Sequence, residues 1–162
     1  GHQVFTTLHT NSALRSFQRI KDLGVSPEVM AGNIIGIIAQ RLIRRLCKHC
    51  REPVEVVPGG VEARLMGEQA VGRQVYRHHS GGCEACDFQG YKGRLAIMEL
   101  LRMDSSIDEL ITRNATQGEL LTHALAHGFT PIAEDGLRRV LEGVTSIEEV
   151  GRVVDLTVRL AG

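Results

Sequence analysis

Cys47-Lys48-His49-Cys50 and Cys83-Glu84-Ala85-Cys86 are the two segments around which the rest of the chain is organised, with a spacing of C-x2-C-x32-C-x2-C. Tetrahedral zinc takes four thiolates at about 2.3 Å, and an x2 step folds both sulfurs of a pair onto one side of a tight turn. Two such turns close the shell and leave no open coordination position, so the metal would hold the fold and do no chemistry. The 32 residues between the pairs exceed the ~15 to 20 of a compact ribbon, so the middle segment must be an excursion that returns. Buried free thiols, two disulfides and a redox CxxC are the alternatives. A chain of this length folds on a core without disulfides. Redox use needs one reactive pair beside a thioredoxin-like βαβ unit, whereas here two pairs sit in loop-like contexts. Zinc on Cys47, Cys50, Cys83 and Cys86 is the stronger reading. His49, His78 and His79 are near enough to be ligands, but the thiolates already fill the shell and these rings are expected to be exposed.

The surrounding composition is that of a neutral globular protein. In 162 residues, 19 Lys+Arg balance 19 Asp+Glu, 43% of residues are hydrophobic and 23% charged. Disordered and fibrous classes are excluded. Zero net charge and 4% aromatics argue against a nucleic-acid binder, although the basic stretch Arg41, Arg44, Arg45, Lys48 and Arg51 keeps a zinc-ribbon nucleic-acid module as the alternative. The longest apolar stretch, around residues 34–39, falls far short of a membrane span, and a soluble protein of a reducing compartment is expected. The chain opens directly into a β-prone run without Met, which reads as a piece of something longer.

Upstream of the cysteines, Val4-Phe5-Thr6-Thr7-Leu8 has the apolar and β-branched character of a strand ending at His9. Asn11 or Ser12 can cap a helix with Leu14, Phe17, Ile20 and Leu23 on its apolar side, stopped by Gly24. Ser26-Pro27-Glu28 predicts a second helix running to about Leu46, apolar on more than one face, with Gly32-x-x-x-Gly36 as a close-packing site. Between the pairs, Pro53, Pro58, Gly59 and Gly60 break the chain, with a short helix at 61–66 and a strand at 74–77. Another strand is expected at 94–98. Ser106-x-x-Glu109, Thr116-x-x-Glu119 and Thr145-x-x-Glu148 read as capping boxes, and Thr130-Pro131 with Gly143 brackets a further helix, so the tail is expected to be helical. His123 and His127, four apart on one of these helices, have no third ligand in view and are read as solvent-facing.

Gly1-His2-Gln3-Val4-Phe5-Thr6-Thr7-Leu8-His9-Thr10-Asn11-Ser12-Ala13 resembles the histidine box of the ATPases that assemble type II secretion and type IV pilus fibres. The resemblance continues in order through Ala39-Gln40-Arg41-Leu42-Ile43-Arg44-Arg45-Leu46-Cys47, Gly82-Cys83-Glu84-Ala85-Cys86, Gly90-Tyr91-Lys92-Gly93-Arg94 with Glu99, Asp135-Gly136-Leu137 and Gly143-Val144-Thr145-Ser146 with Glu149-Val150. It is weakest from about Pro58 to Val71.

The resemblance implies an α/β remnant, the carboxyl-terminal part of a RecA-like P-loop NTPase core, over 1–46. A tetracysteine zinc insertion over 47–98 and an α-helical subdomain over 99–162 would follow. It implies a histidine near the nucleotide's terminal phosphate, with His9 the positional candidate and His2 the second. It also implies a homo-hexamer that hydrolyses ATP with Mg²⁺ in the full-length protein, in the cytoplasm, peripheral to inner-membrane platform proteins. Retraction ATPases of the superfamily generally lack the tetracysteine insertion, so its presence points to the assembly branch. A phosphate-cradling loop needs G-x-x-x-x-G-K-[ST]. The three lysines here precede Asp22, His49 and Gly93, so these 162 residues are expected neither to bind nor to hydrolyse ATP competently alone; no nucleic-acid partner is expected, on the charge and aromatic grounds given above.

Overall fold

Five isoleucines between residues 34 and 43 draw the chain into a strand where a helix was expected. The structure, a computed structural model, describes residues 2–160. Gly1 of the motif quoted above and the last two residues of the tail lie outside the described residues. The helix that starts at Ser26 is a single turn, α2 (Pro27–Met30), and β1 (Gly36–Leu46) follows it. Ile37, Ala39, Arg41 and Ile43 of β1 face inward while their neighbours face out; after Arg44 and Arg45 the phase shifts and Leu46 turns in. β-branched side chains lose rotamer freedom in a helix and fit a pleated surface. Gly32-x-x-x-Gly36 is accordingly no helix-packing site. Gly32 has φ of 73°, at the turn that ends α2, and Gly36 opens the strand.

β1 pairs with β4 (Tyr91–Arg102), which is longer than the five residues expected. Cys47 donates its N–H to Gly90 O and Met103 donates to Ile35 O, matching the end of one strand with the start of the other. The excursion between the cysteine pairs returns as an antiparallel hairpin of β2 (Glu52–Glu55) and β3 (Gln74–Arg77), with Glu52 opposite Arg77 and Glu55 opposite Gln74. Its tip carries α3 (Val61–Met66), where the short helix was expected.

The residues divide into two compact units, Gly1–Ala39 with Glu99–Pro131, and Gln40–Met98 with Ile132–Gly162. In the first, α1 (Arg15–Asp22) buries Phe17 beside Leu14, with Met30 of α2. These pack with Leu101 of β4, Ile107, Leu110 and Ile111 of α4 (Ser105–Thr112), and Leu120 and Ala124 of α5 (Gln117–Ala126). In the second, Val56, Ala63, Leu65, Met66 and Val75 of the excursion pack with Leu137 and Val140 of α6 (Ile132–Leu141), Val150 of α7 (Ile147–Val153) and Leu156, just before α8 (Thr157–Leu160). Each fully buried aliphatic side chain contributes about 1.5–3 kcal/mol, so the excursion has its own reason to fold back.

Of the three capping boxes, Thr116 with Glu119 forms as expected. The other two sit differently. Asp104 caps α4, accepting from Ile107 N–H, and Ser146 caps α7, accepting from Glu149 N–H. Thr145 instead donates its hydroxyl to Arg44 O.

Candidate metal centre and histidine segment

The hairpin base brings the cysteine pairs together, because Cys50 stands two residues before Glu52 and Cys83 six after its cross-strand partner Arg77. Cys47 follows directly on β1, and the Arg51 N–H donates to Cys47 O to close the first turn. The second turn is a 3₁₀ segment, Glu84–Cys86, followed by Asp87 and Phe88, both at positive φ. Gly82 has φ of 57°, and a Cβ there would stand 2.2 Å from the Phe88 carbonyl carbon, so the turn admits only glycine.

The four sulfurs lie within 4.8 Å of one another. Cys47 Sγ is 3.8 Å from Cys83 Sγ, Cys50 Sγ 3.9 Å from Cys86 Sγ, and Cys83 Sγ 3.8 Å from Cys86 Sγ. A regular tetrahedron with ligands at about 2.3 Å has edges of about 3.8 Å. A disulfide would bring two sulfurs to about 2 Å, and all four thiols are free. The donor set therefore fits zinc. Burial opposes ionisation of Cys86, but the backbone N–H groups of Cys83 and Gly90 donate to its sulfur at 3.2 Å and hold its thiol at about 6. Cys50 is pushed up to about 12 by burial, then by hydrogen bonds with the neighbouring thiols, and least by the charge of Cys47; a bound dication favours its thiolate.

The expected exposure of the nearby histidines holds for His49 only. His78 is half-buried and stacks on Tyr91 at 5.2 Å between centroids, and the half-buried His79 places Nδ1 2.6 Å from Glu52 Oε1. On α5 and its cap, His123 and His127 stack on each other at 4.0 Å, and His123 is half-buried. Among the described residues, the four cysteines are the only group of three or more side chains set to hold a metal.

Glu149, which belongs to the family resemblance but to which the sequence assigned no role, is the most heavily hydrogen-bonded acid of the second unit. Glu149 is fully buried and accepts from Arg44 Nη2 at 2.6 Å, Arg44 N–H at 2.9 Å and Arg152 Nη2 at 2.8 Å. Burial alone would raise its carboxyl; hydrogen bonds from Arg152 and Arg44 outweigh that and hold it at about 2. Arg44 also lies over the Tyr91 ring, while Arg51 lies over Tyr76 and donates to Gly143 O. Two arginines of the basic stretch are thus committed to internal contacts, which weakens the nucleic-acid alternative. The signal was the Ser146-x-x-Glu149 spacing, hidden behind the overlapping Thr145-x-x-Glu148.

The expected first strand does not form. Val4 and Phe5 are 79% and 87% exposed, and 2–10 carry no regular structure. Without strand partners its β-branched residues have no ladder to join. His2 and His9 are both exposed. His9 opens onto a cleft that it shares with Asn11, Arg15 and Asn114, and Ala13 just beyond gives its N–H to Glu99.

The sequence family described as type II/IV secretion system protein matches residues 1–152. The chain belongs to this family. It is 40% identical to the type IV pilus assembly ATPase TfpB of Acinetobacter baylyi over 97% of its own length and 27% of that protein's. It is 40% identical to the type II secretion system protein E of Pseudomonas aeruginosa, over 94% of this chain and 30% of the relative. The type IV pilus assembly ATPase PilB of Thermus thermophilus matches at 41% over 93% of this chain and 17% of that protein. The chain thus spans less than a third of the length of these type II/IV secretion relatives. Within it the fold is mixed α/β with a tetracysteine cluster, and no helix among the described residues is long and apolar enough to cross a membrane.

Proposed function

We propose that these residues are the carboxyl-terminal part of a hexameric ATPase that drives pilus or pseudopilus assembly. The observation that carries this reading is 40–41% identity, sustained over 93–97% of the chain, to relatives named for type II secretion and type IV pilus assembly. The working parts follow the chain in order: the end of a RecA-like core with the histidine segment over 1–46, a structural zinc subdomain over 47–98, and a helical subdomain over 99–162. ATP and Mg²⁺ are held by residues outside this stretch, since no phosphate-cradling loop lies within it. His9 approaches the terminal phosphate from its exposed position at the cleft, with His2 in a secondary role. The zinc subdomain is a rigid lever that couples motion of the core to an inner-membrane platform protein, and the protein works in the cytoplasm through that partner.

The test is made in the full-length protein. His9→Ala is expected to lower ATP turnover by at least tenfold while nucleotide affinity stays within about twofold, as for a group acting in the transition state. Unchanged turnover would remove His9 from the reaction. Serine at both Cys47 and Cys83 is expected to abolish platform binding and secretion; intact secretion would refute the lever.

A further inference from the structure

The inward side of β4 reads Ile97, Glu99, Leu101, three residues no more than 4% exposed. An acid between two core aliphatics costs stability unless its oxygens are hydrogen-bonded. Glu99 Oε1 accepts the Ala13 N–H at 2.6 Å. Ala13 is itself fully buried, and its N–H stands at the head of the turn leading into α1, where backbone donors lack a helical acceptor. A second tie lies alongside, with Thr10 Oγ1 2.9 Å from Oγ of the buried Ser16. His9 immediately precedes Thr10. The chain just after His9 is therefore tied at two points, the Thr10 side chain and the Ala13 N–H, while His9 itself is exposed at the cleft. Ties in the segment next to an exposed side chain restrict where that side chain can stand, which is how a reacting group is preorganised.

We propose that Glu99 is a positioning residue for His9: its buried oxygen holds the Ala13 amide and so sets where the His9–Ser12 segment leaves α1. The inference rests on the reading of His9 given above. It is tested in the full-length ATPase by a double-mutant cycle between Glu99 and His9.

Glu99→Leu and Glu99→Asp, which remove the acceptor or shorten its reach, are expected to lower kcat about tenfold to hundredfold, because displacement by about an ångström costs that much. Nucleotide Kd should stay within twofold. Glu99→Gln keeps an acceptor oxygen at the same reach and should retain most of the turnover. In the His9→Ala background, Glu99→Leu should cost less than a further twofold. Should Glu99→Leu fail to fold, Glu99→Asp carries the same cycle. Equal losses in the two backgrounds, or full turnover in Glu99→Asp, would overturn the positioning role while leaving His9 in place. An unaffected His9→Ala would sink both readings.

Discussion

Gly82 shapes the second cysteine turn, and Glu149 ties β1 to α7. Gly82 sits at positive φ against the Phe88 backbone, so Gly82→Ala must shift the second cysteine turn. Zinc affinity is expected to fall about 10- to 100-fold, read by competition with a chromophoric chelator. Glu149 is held at about 2 against an ordinary 4.5, so its contribution to stability is full above pH 4.5 and is lost as the pH falls toward 2. Glu149→Ala leaves the Arg44 N–H and the half-exposed Arg44 and Arg152 guanidinium groups without their acceptor and is expected to cost about 1–3 kcal/mol at neutral pH in thermal or denaturant unfolding. Glu149→Gln should flatten the acid limb of the stability profile relative to the wild type. At this scale the convergence of the four cysteines was legible, because two CxxC pairs predict one cluster by their spacing. Glu149 and Glu99 were legible as parts of the family resemblance but not as buried acceptors, since whether an acid is solvated or buried depends on elements 86 to 105 residues away.

The element most at odds with its sequence is β1. Ala39, Ile43 and Leu46, its buried residues, are spaced four and three apart, which reads as one face of a helix. The spacing arises from inward alternation up to Ile43 and a phase shift at Arg44–Arg45, which no periodicity test separates from a helix. Truncation tells the two apart. Ile43→Ala is expected to cost about 2–5 kcal/mol, and Leu42→Ala, at an outward position, under 0.5 kcal/mol, as measured by urea unfolding. Similar losses at both would argue against the strand. The opposite error occurred at 4–8, where strand propensity was real but no partner strand is present among the described residues. The helix α5 was legible because its capping box is local, and α1, α3 and α6 because glycines bound them, although α1 starts after Leu14 without the side-chain cap expected from Asn11 or Ser12.

At the scale of the whole molecule, each compact unit is assembled from two separate stretches of chain, with its own core. No linear reading of composition reveals that interleaving, because it depends on β1 and β4 pairing across more than forty residues. Removing zinc from the full chain should loosen the second unit, whose excursion is closed by the cysteine turns. Amide exchange is expected to quicken in β2, β3 and α3 while α4 and α5 keep their protection. Quickening throughout would contradict a separate core for the first unit. The central structural claim is that Cys47, Cys50, Cys83 and Cys86 close around one zinc ion. Elemental analysis of protein purified without added metal tests it directly. One zinc per chain, lost when Cys47 and Cys83 are both serine, is the predicted result; zinc-free, folded wild-type protein, whether with free thiols or with paired disulfides, would contradict it.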